Sequence, residues 1–270
     1  MILVNGAATD QVVVTDRGLA YGDGVFRTFL VTDGRAHNWR FQFRRLAHDC
    51  AALALPCPVE AVLAEEVIRV SAAQRECTVK VIVTRGTGER GFAPPQNPVP
   101  TRVVMASPRL PYPEEFARGG VCVQVCRTRV AAQPRLAGVK HLNRLENVIA
   151  RSEWSDPAVA EGLMLDTEGN VVGGTMTNLF MVDENSLVTP ELSKCGVAGV
   201  TRERILAAAT RHGVTCRVEP LTLDRVLGAR ELILVNSVIG AWAVRDIEGR
   251  TLRPGPGMTR VQAWLEEKDD

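Results

Sequence analysis

The first part of the chain alternates short apolar runs with turn residues. The runs Ile2–Val4, Val12–Val14 and Val25–Val31 are separated by Asn5-Gly6 and by the glycine-rich stretch 18–24. Apolar, β-branched runs bounded by Gly and Asn are typical of strands. The pattern predicts an antiparallel meander at the start of the chain.

Helical periodicity follows this meander. Apolar positions recur every three or four residues between 40 and 53, and the same spacing returns from 59 to 70 after Pro58. Residues three and four apart share one face of a helix. We therefore predict two helices here, followed by strands at 78–84 and 102–107.

A proline-rich segment then interrupts the periodic pattern. Three prolines fall between residues 108 and 115, a composition that favours an extended linker. We therefore place residues 1–107 in a smaller N-terminal domain, treat 108–119 as a linker and place 120–270 in a larger C-terminal domain.

The second half mixes strand and helix signals. A helix is predicted from 141 to 153, and another is predicted from the N-cap Thr201 to Gly213. The first of these helices has one apolar face, formed by Leu142, Leu145, Val148 and Ile149. Strand runs are predicted at 121–130, 162–166, 178–182, 214–218, 231–236 and 242–247. Because the elements intermix without regular βαβ alternation, the pattern predicts an α+β fold with two α/β domains.

Composition and charge narrow the possible functions. The chain has 270 residues, is 46% hydrophobic, and balances 32 Lys and Arg against 31 Asp and Glu. Such a chain can bury real cores, and it carries no net field that would attract nucleic acid or an anionic membrane. Any anionic ligand must therefore be bound by local cations.

The N-terminal residues, the lengths of the apolar runs and the spacing of Cys and His bear on the cellular location of the protein and on whether it binds a metal. The N-terminal residues 1–6 have no basic flank, and no apolar run reaches membrane-spanning length, so we expect a cytoplasmic protein. The seven cysteines form no C-x-x-C pair and the four histidines have no metal-ligand spacing. We therefore expect reduced thiols and no metal.

Three positions suggest an anion-binding site. Lys140 precedes a predicted helix, where a lysine is ordinarily a solvated surface charge. Gly199-Val200-Thr201 opens another predicted helix, and the amides and dipole of a first turn favour a phosphate. Arg45 could add a fixed cation. Each feature is common alone, and only their combination is informative.

In their order and spacing these residues resemble the fold-type IV pyridoxal-phosphate enzymes. That family includes D-amino-acid aminotransferase, branched-chain aminotransferase and aminodeoxychorismate lyase. The resemblance runs from residues 16–24 through Arg45-Leu46 and Lys140 to Asn236-Ser237. The stretches 85–92 and 136–146 are most similar to the lyase branch. The resemblance implies the two-domain architecture of D-amino-acid aminotransferase.

The resemblance also implies roles for individual residues. Pyridoxal 5'-phosphate would be held as a Schiff base on Lys140, in the C-terminal domain. Its phosphate would contact Arg45, the backbone at Gly199, Val200 and Thr201, and the polar turn Asn236 and Ser237. Arg90 matches a family position that binds substrate carboxylate, as expected for an arginine.

Arg27 and Thr28, in the strand after Gly24, complete the candidate substrate-binding set. Arg27 follows two apolar residues and could present a second cation to an anionic substrate. An alternating strand, however, points about half of its residues to the other face.

The implied activity is that of a lyase acting on 4-amino-4-deoxychorismate, which yields 4-aminobenzoate and pyruvate for folate biosynthesis. The implied assembly is a homodimer. An aminotransferase of D- or branched-chain amino acids is the alternative in chemistry, and a pyridoxal-phosphate-binding relative without turnover is the alternative in class.

One position departs from the family pattern. Gly173 stands where the family normally has a glutamate that pairs with the protonated pyridine nitrogen. Without that partner the ring is a weaker electron sink. We expect elimination to tolerate this loss better than transamination, and Thr175 acting through water is a possible substitute.

Overall fold

The protein is described by a computed structural model covering residues 1–267, and its chain forms two compact units. The first unit comprises Met1–Leu110 together with Val139–Asn143. The second comprises Pro111–Gly138 together with the chain from Arg144 on. Lys140, predicted in the C-terminal domain, is thus grouped with the first unit, because its segment pairs with a strand of that unit's sheet.

The first unit is built on a six-stranded antiparallel sheet in the order β2-β1-β6-β5-β3-β4. Its elements are β1 (Ile2–Val4), β2 (Ala7–Ala8), α1 (Arg17–Tyr21), β3 (Gly24–Thr32), β4 (Arg35–Ala36), α2 (Trp39–Ala52), α3 (Glu60–Ser71), β5 (Glu76–Thr84) and β6 (Thr101–Pro108). The antiparallel meander, the two helices and the strands near 78–84 and 102–107 are confirmed.

The core of this unit lies between the sheet and helices α2 and α3. Leu46 of α2 and Leu63 of α3 are buried with Val79 and Val81 of β5. The apolar helix faces and the alternating strand meet here, as the two periodicities require.

The strand predicted at Val12–Val14 is wrong. Val13 accepts a hydrogen bond from the Asp16 amide (2.9 Å), so this segment turns instead of pairing along a strand. The side chain of Asp16 then caps helix α1 by accepting from the Gly18 amide at 2.7 Å. The glycine-rich stretch therefore contains a short helix that periodicity did not reveal.

The second unit is built on a nine-stranded mixed sheet in the order β12-β11-β10-β13-β14-β7-β8-β9, with β15 paired to β14. Its strands are β7 (Val121–Val130), β8 (Val159–Asp166), β9 (Val171–Gly174), β10 (Asn178–Asp183), β11 (Ser186–Pro190), β12 (Cys216–Glu219), β13 (Glu231–Asn236), β14 (Gly240–Ile247) and β15 (Arg250–Thr251). Its helices are α4 (Glu114–Arg118), α5 (Leu145–Arg151), α6 (Val200–Arg211), α7 (Leu223–Gly228) and α8 (Pro256–Glu266).

Strand β13 is buried on both faces, which explains its unbroken apolar sequence. Leu232 and Leu234 belong to one core cluster. Ile233 and Val235 belong to another, with Ile205 of α6 and residues of α8. The central strands thereby hold a layer of core on each side of the sheet.

Two predicted helices differ in detail. The helix predicted at 141–153 begins only at Leu145, because the residues before it are extended along β3. Its Leu145, Val148 and Ile149 are each more than half exposed, so the predicted apolar face is not buried within the chain. Helix α6 has Gly199, not Thr201, as its N-cap, and the Gly199 carbonyl accepts from the Glu203 amide at 3.1 Å.

The turn at 167–170 leads into β9, an element that was not predicted, before the chain reaches β10.

Among the described residues, no helix combines the length and the apolar character needed to cross a bilayer.

Candidate active site

Lys140 lies on a short extended segment beside β3 in the first unit. The Phe26 amide donates to the Lys140 carbonyl at 3.0 Å, and His141 forms an antiparallel bridge with Val25. The Lys140 Nζ atom lies 4.5 Å from the centroid of the Phe26 ring. The strand therefore fixes the backbone of the lysine, and an aromatic face borders its amine.

A buried carboxylate holds the same segment from helix α2. The Lys140 amide donates to Asp49 Oδ2 at 3.1 Å, and Asp49 is fully buried. Arg27 of β3 forms an ion pair with Asp49, and the Arg45 guanidinium lies 3.6 Å from the other carboxylate oxygen. These charged partners offset the cost of burying the Asp49 carboxylate. The structure thus brings Lys140, Arg45 and Arg27 together around Asp49.

Sequence reasoning missed Asp49. The available signal was its position four residues after Arg45, a spacing that places opposite charges side by side on a helix. That signal is common on solvated helices, so it did not indicate burial.

Arg27 faces the interior of the first unit. Its side chain is buried, and its guanidinium also contacts the Arg45 carbonyl at 3.4 Å. Strand alternation places Phe26 and Thr28 on the opposite face. Arg27 thus pairs with Asp49, and the substrate contacts of Arg27 and Thr28 stay predictions.

A second lysine borders the same ring. Lys80 of β5 has its Nζ atom 4.9 Å from the Phe26 centroid. Register explains this position, because Lys80 pairs with Thr28, two residues along β3 from Phe26 and on the same face. Lys80 is thus a natural control for any experiment on the Lys140 amine.

Arg90 lies exposed in a loop whose backbone is held by hydrogen bonds from Arg17. The Arg17 guanidinium donates to the carbonyls of Gly91 (3.0 Å) and Phe92 (3.0 Å) and to the Asp23 carboxylate (2.9 Å). The loop backbone next to Arg90 is therefore anchored while the Arg90 side chain reaches solvent. Its contact with a substrate carboxylate stays a prediction.

Asp23 joins Arg17 of helix α1 to Arg85, the first residue of this loop. Arg85 donates to both Asp23 oxygens, at 2.8 and 3.0 Å. Burial raises the pKa of the Asp23 carboxyl, but the hydrogen bonds and charges of Arg85 and Arg17 outweigh it, so the pKa lies below its ordinary value. Arg17 and Asp23 are further residues that sequence reasoning did not assign to the site.

In the second unit, the predicted phosphate contacts at 199–201 form the start of helix α6. The Gly199 amide donates to Asn178 Oδ1 at 3.0 Å, and Asn178 Nδ2 donates to the Val197 carbonyl at 2.8 Å. A Cβ atom on Gly199 would lie 2.4 Å from Asn178 Oδ1, so this close approach requires glycine. A first turn that begins without a side-chain cap suits an anion, and the residues present fit a phosphate.

Asn236 shapes the polar turn that precedes β14. Its Oδ1 atom accepts from the amides of Val238 (2.8 Å) and Ile239 (2.9 Å), the arrangement of an Asx turn. Its Nδ2 atom donates to the Met176 carbonyl at 3.2 Å. The side chain of Asn236 thus orders this turn, and phosphate contacts at Asn236 and Ser237 stay predictions.

The structure explains why Gly173 carries no side chain. Gly173 has φ +156°, and a Cβ atom there would lie 2.7 Å from the Thr177 carbonyl oxygen. A buried carboxylate does lie nearby, but it belongs to Glu161 of β8, which bonds to Thr175 and Thr177. Sequence reasoning did not single out Glu161, whose partners Thr175 and Thr177 follow it by 14 and 16 residues, in the turn between β9 and β10.

Comparison with known proteins relates this chain to characterised relatives. The model of the family "Amino-transferase class IV" matches residues 24–247. An aminodeoxychorismate lyase of Vibrio harveyi is 33% identical over 251 residues, which cover 92% of this chain and 91% of the relative. The crystal structure of a 4-amino-4-deoxychorismate lyase from Pseudomonas aeruginosa is 43% identical, with a TM-score of 0.94 and 98% of both chains covered.

The crystal structure of a branched-chain amino acid aminotransferase from Escherichia coli shares the fold at lower identity. It is 24% identical, with a TM-score of 0.86, and covers 97% of this chain and 91% of its own. The predicted α+β class and the fold-type IV architecture are confirmed by these likenesses. With the family model matched along most of its length, the chain belongs to the class IV aminotransferase family.

Proposed function

We propose that the protein is a pyridoxal-phosphate-dependent lyase that converts 4-amino-4-deoxychorismate into 4-aminobenzoate and pyruvate, a step of folate biosynthesis. The observation that carries the proposal is the fixation of Lys140 from two sides, by Phe26 of β3 and by Asp49 of α2. The names of the Vibrio and Pseudomonas relatives favour the lyase over other activities of the family.

Lys140 performs the proton transfers in this proposal. When bound, pyridoxal phosphate supplies an electron-withdrawing ring that stabilises negative charge on the carbon next to the substrate amine. The neutral Lys140 Nζ removes the proton from C4 of the substrate. The C–O bond to the enolpyruvyl group then breaks, the six-membered ring becomes aromatic, and Lys140 returns the proton to the departing group as it becomes pyruvate.

The remaining predicted residues bind and orient. Arg45, the amides of Val200 and Thr201 and the turn at Asn236 and Ser237 hold the phosphate, which needs both amides and a cation. The Gly199 amide bonds to Asn178 Oδ1 and fixes the start of this segment. Arg90 binds a carboxylate of the substrate from a loop that Arg17 anchors. Arg27 and Thr28 remain candidates for substrate contact.

Gly173 supports elimination over transamination. Since no side chain fits there, position 173 cannot supply an anion to the pyridine nitrogen, and the electron sink is weaker. Loss of the enolpyruvyl group removes negative charge quickly, whereas transamination must hold it until the cofactor is reprotonated. The alternative, an aminotransferase of D- or branched-chain amino acids, would show half-transamination in the absence of aminodeoxychorismate.

We further infer that the protein is a homodimer. The exposed apolar face of α5, formed by Leu145, Val148 and Ile149, supports this inference, because contiguous apolar surface favours association. Sedimentation should give twice the mass of the chain, and Val148→Asp should shift the protein towards monomer. The cytoplasmic location expected from the sequence stays a prediction.

Two measurements on the purified protein test the lyase proposal. Borohydride reduction followed by peptide mass analysis should place a pyridoxyl group on Lys140, and a lactate-dehydrogenase-coupled assay should detect pyruvate from aminodeoxychorismate. An adduct on Lys80 would contradict the assignment of the lysine. Steady aminotransferase turnover without pyruvate would contradict the lyase and favour the alternative.

A further inference from the structure

One buried carboxylate organises the turn between β9 and β10. Glu161 of β8 is fully buried, and five hydrogen bonds of 2.5–3.1 Å end on its two oxygens. The donors are the amides of Gly162, Thr175 and Met176 and the hydroxyls of Thr175 and Thr177. All five donors are neutral groups, so the buried carboxylate is stabilised by dipoles that converge on it. The 174–177 turn is fixed by the same contacts.

Gly174 allows the carboxylate to come this close. A Cβ atom on Gly174 would lie 2.6 Å from Glu161 Oε2 and 2.2 Å from Thr177 Oγ1. The charge of Glu161 also reaches Tyr112, since burial first and this negative charge second raise the pKa of the Tyr112 phenol. The backbone at Gly174 thus leaves room for the Glu161 carboxylate.

The 174–177 turn is connected to both predicted phosphate-binding segments of the second unit. Asn178, the residue directly after the turn, accepts the hydrogen bond from the Gly199 amide at 3.0 Å. Met176, within the turn, accepts the hydrogen bond from Asn236 Nδ2 at 3.2 Å. A displacement of the turn therefore moves the start of α6 and the Asn236 turn together.

We propose that Glu161 is a positioning residue for the phosphate cradle: by fixing the 174–177 turn it sets the places of the Gly199 segment and of the Asn236 turn. This inference rests on the proposed cofactor. In this role Glu161 acts through the 174–177 turn and not through direct contact with the cofactor or the substrate. Its effect arises because binding groups must be held within about 0.5 Å of their productive geometry by the residues that support them.

The test compares Glu161→Gln with Glu231→Gln. Glu231 is also buried in the second unit, and its side chain accepts from the amides of Gly257 and Met258 at the start of α8. For each variant we measure the dissociation constant of pyridoxal phosphate, the ³¹P chemical shift of the bound phosphate and the melting temperature.

Glu161→Gln should weaken cofactor binding about 10-fold, the lower end of what outer-shell partners contribute in other sites, and should shift the ³¹P resonance. The pyridoxyl adduct should still form on Lys140. Glu231→Gln should lower the melting temperature but leave affinity and ³¹P shift as in the wild type. Unchanged affinity and ³¹P shift in Glu161→Gln would overturn the inference.

A second pair of variants covers the case that Glu161→Gln does not fold. Thr177→Val removes one hydroxyl donor to Glu161, and Thr177→Ser keeps it. Thr177→Val should weaken binding and move the ³¹P resonance, whereas Thr177→Ser should restore both; equal behaviour of the two would overturn the inference. A wild-type protein that binds no cofactor would instead refute the proposed function and the inference with it.

Discussion

Each unit contains one fully buried carboxylate beside its candidate site residues, and the two carboxylates are stabilised in opposite ways. Asp49 in the first unit pairs with the guanidinium groups of Arg27 and Arg45. Glu161 in the second unit receives only neutral donors in its five hydrogen bonds. Asp49 is therefore balanced by opposite charges, whereas Glu161 is stabilised by the dipoles of amides and hydroxyls.

The difference shows how a buried anion can serve two structural purposes. Around Asp49 the partners are long side chains from β3 and α2, so the carboxylate joins separate elements and holds Lys140 through its amide. Around Glu161 four of the five donors are backbone amides and hydroxyls of the 174–177 turn, so the carboxylate fixes the local backbone geometry of that turn. The ion pairs of Asp49 therefore hold separate elements together. The neutral hydrogen bonds of Glu161 fix the shape of one turn.

The largest effect is expected from Lys140→Ala. The hydrogen bond to Asp49 is made by the backbone amide of Lys140, which Ala also carries, so the variant should keep the melting temperature of the wild type. Pyruvate formation should fall by roughly 10²–10⁴-fold, the usual contribution of a general acid–base. Lys80→Ala, the matched control at the same aromatic ring, should retain most activity. A large drop in melting temperature for Lys140→Ala would show that the side chain is structural.

The comparison itself predicts that Asp49→Asn destabilises the fold more than Glu161→Gln. Loss of Asp49 removes the charge partner of the buried Arg27 and should cost about 3–5 kcal/mol. Glu161→Gln keeps an acceptor oxygen and should cost about 1–3 kcal/mol. Urea denaturation of both variants measures the difference. The double variant Arg27→Met with Asp49→Leu should recover much of the loss, and equal losses for the two single variants would refute the distinction.

A third prediction concerns Gly173, which lies beside the turn that Glu161 fixes in the second unit. Gly173→Glu places a side chain at φ +156° and a Cβ atom against the Thr177 carbonyl oxygen, so we expect a loss of about 1–3 kcal/mol from backbone strain. We also expect no gain in transamination, because the turn must shift before the new carboxylate can be accommodated. Thermal denaturation measures the loss of stability, and the half-transamination reaction with D-alanine measures the transamination activity. A stable variant with new aminotransferase activity would show that the turn tolerates the side chain.

The smallest effect concerns Asp23, a partly exposed carboxylate of the first unit. Its depressed pKa means that it stabilises the fold above the unfolded pKa of about 3.9, and that this stabilisation is lost as the pH falls through the lower folded value. Asp23→Asn should therefore cost about 1 kcal/mol or less near neutral pH, after solvent screening. The deficit should vanish in acid. A deficit that grows as the pH falls would contradict this assignment.

Local periodicity predicted most of the fold because most elements bury one face of a regular pattern. Strand β7 was placed at its observed bounds, and α2 was placed within a residue or two, since their apolar positions repeat at the period of the element. The start of α5 was misplaced because tertiary pairing of residues 140–142 with β3 overrides local helix preference.

The sequence predicted only part of the candidate site, because tertiary contacts are not contained in a local pattern. Lys140, Arg45 and Gly199 were predicted from the resemblance to the family in the order and spacing of its residues. Asp49 and Glu161 were missed because their importance depends on burial and on partners from other elements. Asp49 bonds to residues 22 and 91 positions away, a relation that no local pattern contains.

The interleaved course of the chain has a consequence for its synthesis. The edge of β3 near Phe26 is completed only by residues 139–143, which leave the ribosome about 30 residues after the rest of that unit. Until then the Phe26 amide lacks the Lys140 carbonyl, so the nascent first unit carries an open strand edge during translation. A fragment ending at Leu110 should therefore exchange its Phe26 amide hydrogen faster than the full chain does, and equal protection in both would show that the edge closes without Lys140.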